Sequence, residues 1–419
     1  MRSPRPYQTD CFNAIIAGFD RGLRGLCIEA FTGFGKGYLI ALLCEHIRKQ
    51  GGRVLVLVNR DNLVNQLTQS IYEQGLYPAV ERSQDVASSL SDIVVGSVQT
   101  MQGKRLKKWN PETFNLVICD EVHFSAARTH KNVLDYFSQS RHVGMSATLT
   151  RHDKKALWKG YEEIVFSMPL QEGIDEGWLT PFLFQQLPVP IEVPQTLANK
   201  RTWKEEDEES LLQTYLHSIF GESASLVDGR KALFFWPGVT PSKEANSFFQ
   251  KSNIASRHID GYMSKTKRGE ILDWFRETET GVLHNSDLLS YGYDNKTIDC
   301  IGIMRLGRSL PLLLQRLGRG TRVLPTVDGA GGRDERHRII GGSKKAHCLV
   351  IDLMLQLDGI KHRFAQVSDL VTGDKEEREW LRRERAKLNN DNLSLDDLEN
   401  LCKKRRLDNE QKQLQKLSW

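Results

Sequence analysis

The chain reads as an α/β protein: two tandem parallel-sheet units followed by a helical appendage. Short apolar runs of strand length alternate with longer amphipathic runs, the pattern of right-handed βαβ units around a parallel sheet. The alternation occurs twice, separated by a proline- and glutamine-bearing break near 178–194 and the charged string NKRTWKEEDEES. The 419 residues are too many for one ordinary domain and suit two large ones plus an addition. The expected division is therefore 1–190, 191–365 and a charged tail over 366–419.

In the first unit, strands are predicted at Leu26 to Glu29, Val54 to Asn59, Ile93 to Ser97, Leu116 to Asp120 and His142 to Ser146. Helices are predicted over 37–49 and 60–74. The first strand runs into AFTGFGKG, which reads as a P-loop. Its glycines let the backbone of Thr32, Gly33, Phe34, Gly35, Lys36 and Gly37 converge on phosphate oxygens. The helix that begins near Lys36 adds the positive end of its dipole, and Lys36 brings a point charge to the β- and γ-phosphates. One position departs from the pattern: Gly37 stands where a Ser or Thr hydroxyl ligates Mg²⁺. Either water fills that coordination position, which Mg²⁺ tolerates because it keeps several waters anyway, or nucleotide is bound weakly and turned over slowly. A slowed but working ATPase is favoured over a dead site.

The apolar run FNLVICDEVH ends in Asp120 and Glu121. Adjacent carboxylates inside a strand's core carry a large desolvation cost, so both must emerge at its carboxyl end, facing a polar cleft that holds a metal ion. Some twenty-five residues later HVGMSAT delivers Ser146 and Thr148 to the same sheet edge, where they are placed to hydrogen-bond His123 and couple the metal site to moving parts. Between these, GKRLKKW sets Lys104, Arg105, Lys107 and Lys108 beside Trp109, just after Thr100. Cations next to an aromatic platform suit a nucleic-acid strand or duplex edge, and a solvated basic loop is the plain alternative.

In the second unit, strands are predicted at Ala232 to Trp236, Ala255 to Ile259, Gly281 to His284, Ile298 to Met304 and His347 to Asp352. QRLGRGTR carries Gln315, Arg316, Arg319 and Arg322 on what reads as a helix start. Three arginines so close repel unless anions or carboxylates face them. Arg319 and Arg322, three apart, are expected on one helical face, and arginine stabilises charge on a transferring phosphoryl group. Residues 326–346 are glycine-rich and basic and read as a flexible surface loop. From 366 onward two charged helices are expected, with leucines at helical spacing and a basic cluster, Lys403 to Arg406. Packing on the second unit is the favoured role for them; nucleic-acid grip and contact with a partner protein are the alternatives.

In this order the strings resemble superfamily 2 helicases and translocases up to about residue 365. RPYQ (Arg5 to Gln8) is similar to the glutamine motif, AFTGFGKG to motif I, LVLVNRDNLVNQ to motif Ia and IVVGSVQTM to the next nucleic-acid motif. DEVH is similar to motif II, SAT to motif III, KALFFWPGVTPSKEANSFFQ to motif IV, GVLHNSDLLSYGYD to motif V and QRLGRGTR to motif VI. Single strings are weak signals, but nine in the correct order are specific. Their style is closest to phage and bacterial branched-DNA and repair helicases. Motif V departs, with SYGYD where the family more often has TEGFD.

The resemblance implies two RecA-like lobes, ATP and Mg²⁺ as cofactors, and DNA, single-stranded or branched, as the expected nucleic acid. It assigns Gln8 to adenine, Lys36 to the phosphates, Asp120 to Mg²⁺ through water and Glu121 to the metal site as general base. His123 and Gln315 link the lobes, Arg319 and Arg322 serve as arginine fingers, and Asp294 lies near the ribose. Asn59, Arg60 and Thr100 contact the nucleic-acid backbone. The implied activity is ATP-driven lobe closure that shifts one grip relative to the other, giving translocation and unwinding in replication, recombination or repair. A hydrolysis-impaired nucleic-acid-binding scaffold and a translocase subunit of a larger assembly are the alternatives.

Composition agrees. A net charge of +5 is mildly basic, so a nucleic-acid groove requires the charge to be localised. The seven cysteines show neither a CxxC pair nor paired Cys/His spacing, so no zinc site or disulfide framework is expected and a reducing cytosol fits, that of the host if the chain is phage-encoded. The polar amino terminus and the lack of a run of about eighteen apolar residues disfavour secretion and membrane spanning.

Overall fold

The computed structural model describes residues 3–59, 61–122, 127–147, 149, 157–198, 200, 203–290, 292–306, 309–356, 368–371, 375–388 and 393–417. The chain divides into two compact units, Met1–Gly173 and Ile174–Trp419. Each is built on its own seven-stranded sheet.

The first unit runs α1 (Pro6–Asp20), β1 (Gly25–Ala30), α2 (Lys36–Lys49), β2 (Val54–Val58), α3 (Asp61–Tyr72), β3 (Ala79–Glu81), β4 (Ile93–Ser97) and α4 (Gly103–Lys107). It continues through β5 (Leu116–Asp120), α5 (Arg128–Tyr136), β6 (Arg141–Ser146), β7 (Glu163–Met168) and α6 (Leu170–Asp175). The strands lie in the order β3-β4-β2-β5-β6-β1-β7, all parallel. Helices cover both faces of such a sheet, which is why β2, VLVLV, is apolar at every position and buried throughout. Because β6 lies between β5 and β1, three motif-bearing strand ends stand side by side: Glu29 is in register with Ser146, and Asp120 with Met145. Ligands of open α/β sheets bind at such carboxyl ends.

The second unit runs β8 (Phe182–Glu192), α7 (Gln195–Ala198), α8 (Glu205–Gln213), α9 (Leu216–Leu226), β9 (Lys231–Phe235), α10 (Val239–Lys251), β10 (Ser256–Ile259), α11 (Lys265–Glu277) and β11 (Gly281–Asn285). It continues through β12 (Cys300–Ile303), α12 (Leu310–Leu317), α13 (Arg333–Gly341), β13 (Cys348–Gln356), α14 (Ser368–Val371), α15 (Lys375–Lys387), β14 (Leu393–Ser394) and α16 (Leu395–Leu417). Its sheet order is β10-β11-β9-β12-β13-β8-β14, parallel except for β14. Phe220, Phe234, Trp236 and Phe249 dominate its core. No helix among the described residues is long and apolar enough to cross a membrane.

All the predicted strands are present, most shifted by a residue or two at their ends. Two expectations are corrected. The change of unit falls at Gly173/Ile174 rather than 190/191, because the expected break holds β8, a strand of the second sheet paired with β13. Pro188 and Pro190 disguise it; the register with β13 jumps between Leu187 and Pro190, a bulge that takes up the prolines. The expected loop over 326–346 contains α13, capped by Gly332 and Gly342, whose Arg336 stacks 3.9 Å over Trp178. The tail belongs to the second unit, on which packing was the favoured role: β14 pairs antiparallel with β8, and Leu381 and Leu398 are fully buried.

Candidate nucleotide site and nucleic-acid face

Gly33 and Gly35, at φ +102° and +87°, take the left-handed turn between β1 and α2 that other residues resist. Gln8 is built into this turn. Its Nε2 donates to the Phe34 carbonyl at 2.8 Å, its Oε1 accepts from the Arg5 N–H at 2.9 Å, and a Cβ at position 35 would lie 2.4 Å from Nε2. The Gln8 side chain thus shapes the glycine turn directly. The first turn of α2 aims its amides along the helix axis, as an anion site requires.

Lys36 Nζ lies 3.3 Å from Glu121 Oε1 and 3.8 Å from Asp120 Oδ1, so the P-loop cation and the acidic pair form one cluster. Glu121 sits at φ +56°, and its N–H donates to Asp120 Oδ1 at 3.1 Å. Such backbone strain in a non-glycine residue is characteristic of functional sites. Burial pushes the Asp120 carboxyl up to about 6, Lys36 pulls it down, and Glu121 adds to the rise. Two carboxylates against one ammonium leave net negative charge that a divalent cation neutralises. Among the described residues no group of three or more His, Cys, Asp or Glu could hold a metal unaided.

Ser146 is fully buried at the end of β6. His123, Thr148 and Arg60 lie outside the described residues. Sequence reasoning missed Glu29. At the end of β1 its Oε1 accepts the Leu149 N–H at 2.9 Å and its Oε2 the Ser167 hydroxyl at 2.7 Å, tying the segment after β6 to β7. An acidic residue closing an otherwise apolar strand was the available signal.

In the second unit Arg319 and Arg322 do not share a helical face. α12 ends at Leu317 with Gly318 as its cap, and both arginines follow it. A Cβ at Gly320 would lie 2.3 Å from Cys348 Sγ, so the chain turns close against β13 there. The carboxylates that three neighbouring arginines require come from the chain itself. Arg316, buried, donates to Asp287 at 2.6 Å, and Arg322 pairs with Asp294. Arg319 donates to the carbonyls of Tyr293 at 2.6 Å and Ser290 at 2.9 Å, which fixes the motif V and motif VI strings to each other. Asp287, itself at φ +56°, also holds Arg305; burial opposes its ionisation, but Arg316 and Arg305 keep it below the usual carboxylate range. Gln315 is buried with its Oε1 unbonded among the described residues.

The expected nucleic-acid residues divide. Asn59 and Thr100 are partly exposed: the Asn59 carbonyl accepts from Gln99 at 2.6 Å, and Thr100 Oγ1 accepts from Ser97 and Ser83 at 3.1 Å. Lys104 and Lys107 face solvent. Arg105 and Lys108 instead converge on Glu81, whose side chain is fully buried. The stacking platform expected at Trp109 is overturned, since this ring is 2% exposed and packs 5.2 Å from Phe114 in the core.

The family profile described as "Type III restriction enzyme, res subunit" matches residues 2–151, and that described as "Helicase conserved C-terminal domain" matches residues 212–323. A Saccharomyces cerevisiae protein with the provisional name ATP-dependent helicase IRC3 is 28% identical over 352 residues, 77% of this chain and 50% of that protein. Its Schizosaccharomyces pombe counterpart, provisionally named a mitochondrial ATP-dependent helicase, is 30% identical over 339 residues, 76% of this chain and 55% of that protein. The chain thus spans about half the length of these curated relatives. The fold is similar to a fragment of a provisionally assigned HsdR subunit of a type I restriction enzyme from Vibrio vulnificus YJ016. That likeness has a TM-score of 0.63 at 21% identity and covers 84% of this chain and 64% of that one.

Proposed function

Because the chain belongs to helicase superfamily 2, with a DEAD/DEAH-like order of motifs, we propose that it is an ATP-driven, Mg²⁺-dependent helicase or translocase acting on DNA. The observation that carries this reading is the cluster of Lys36 with Asp120 and Glu121 beside the first turn of α2. Lys36 holds the terminal phosphates and Asp120 orients the hydrated ion. Mg²⁺, when bound, neutralises charge on the phosphoryl group. Glu121, its backbone strained and its carboxylate beside Lys36, takes the proton of the attacking water. Arg319 and Arg322 are assigned to the phosphoryl group through the motif VI resemblance.

The test is ATP hydrolysis with single-stranded, duplex, forked and four-way DNA, and with RNA. Lys36→Ala and Glu121→Gln are each expected to abolish nucleic-acid-stimulated turnover; turnover retained in either refutes the assignment. Stimulation by RNA and not by DNA overturns the substrate. Gly37 favours a second reading, a nucleic-acid-binding scaffold impaired in hydrolysis. On that reading the wild type binds DNA but turns over no faster than Glu121→Gln.

A further inference from the structure

Gly37 removes a hydroxyl from the phosphate loop, and its surroundings show what fills the space. The atoms nearest to a Cβ built at position 37 are Ser70 Cβ at 3.0 Å, Ser70 Oγ at 3.1 Å and Leu67 Cδ1 at 3.7 Å, all from α3. A side chain at 37 would press on Ser70, which would have to give by a few tenths of an ångström. The first polar atom bordering the gap is therefore another serine hydroxyl.

Ser70 is partly exposed, and its hydroxyl donates to the Gln66 carbonyl at 3.1 Å, one turn back in the same helix. A serine that spends its only proton in this way keeps its lone pairs to accept. Water bound to Mg²⁺ is a strong donor, so the two are complementary. Gly37 directly follows Lys36, whose ammonium sits on the acidic pair, so this hydroxyl borders the residue next to the phosphate cation.

We propose that Ser70 supplies from α3 the hydroxyl that position 37 lacks, as a positioning residue that orients the water filling the vacated Mg²⁺ coordination position. The assignment rests on the ATP and Mg²⁺ reading above. Position 37 and Ser70 form a complementary pair: glycine makes room for α3, and α3 brings the hydroxyl. A hydroxyl introduced at 37 alone gives no gain, because its Cβ would displace Ser70. Introduced with Ser70→Gly, which removes both the Cβ and the hydroxyl that a side chain at 37 would meet, it restores the function from the other side of the gap.

The experiment is a Mg²⁺ titration of the binding of a fluorescent ATP analogue, repeated for hydrolysis and compared with binding in EDTA, on the full chain. Ser70→Ala is expected to raise the half-saturating Mg²⁺ concentration about tenfold, the usual scale for losing a group that orients a metal's ligand. Analogue affinity in EDTA and thermal stability are expected to stay put. Ser70→Thr is expected to keep the wild-type midpoint, and Gly37→Ser combined with Ser70→Gly to return it to within about threefold. A Ser70→Ala midpoint equal to wild type overturns the assignment, as does a double variant that fails to recover, or a loss of affinity in EDTA as large as that in Mg²⁺. A wild-type chain that binds no nucleotide at any Mg²⁺ concentration overturns the nucleotide reading and this assignment with it, whereas the other failures leave that reading standing.

Discussion

Glu208, on α8, lies with Arg305 at 3.6 Å and the Leu306 N–H at 3.2 Å, near Arg316 and Asp287. Burial nevertheless raises its carboxyl from 4.5 to about 7, outweighing the pull of Arg305 and Arg316. A carboxyl raised on folding binds more protons in the native state, so its contribution to stability is full below about pH 4.5 and lost as pH rises through about 7. Glu208→Gln keeps the shape and removes the titration. It is expected to stabilise the second unit by roughly 1–3 kcal/mol at about pH 8 and to change little at about pH 5, read from thermal unfolding at both values. A lower melting temperature at the higher pH would mean that the ion pairs with the arginines outweigh desolvation. The legibility of single residues divides along the same line. Lys36, Asp120 and Glu121 were readable because a strand, a turn and a helix start specify them locally. Glu208, Asp287 and Ser70 were not, because each acts on a partner that only tertiary packing brings near.

At the scale of elements, α4 shows why a run of cations does not define a binding face. Glu81 at the end of β3 captures Arg105 and Lys108, so two of the four cations of GKRLKK hold the loop together while Lys104 and Lys107 stay exposed. The double variant Lys104→Ala, Lys107→Ala is expected to weaken binding to all sequences alike, to lower the slope of log affinity against log salt by about 1–2, and to leave stability unchanged. Trp109→Ala is expected to cost about 3–5 kcal/mol of stability instead, since the ring is core rather than platform. If the lysine pair melts the unit or Trp109→Ala leaves it intact, the partition is wrong. Glycine and proline were the misleading letters. Prolines hid β8 because its bulge is a pairing feature, and glycines hid α13 because they cap a helix as readily as they loosen a loop. Gly318 likewise ended α12 before Arg319, where charge spacing alone suggested a continuing helix.

For the molecule as a whole, the compositional change at the tail does not mark a structural boundary. Charged sequence joins the second sheet through a buried pair, Arg385 reaching Asp352 on β13 with two hydrogen bonds of 3.3 and 3.2 Å, while at the surface Arg406 of α16 holds Glu377 of α15 with two of 2.8 and 2.6 Å. Burial raises the Asp352 carboxyl and Arg385 opposes the rise, so the carboxylate depends on a residue more than thirty positions away. Removing the guanidinium leaves a buried charge uncompensated. Arg385→Ala is therefore expected to destabilise the second unit by about 3–5 kcal/mol. Arg385→Met with Asp352→Leu, which replaces the pair by apolar volume, is expected to recover most of that loss. Urea unfolding of residues 174–419 reads both. A solvated tail predicts instead that Arg385→Ala shifts no midpoint and that truncation before 375 leaves the sheet as stable as before, which would return the appendage to the role of a docking arm for another protein.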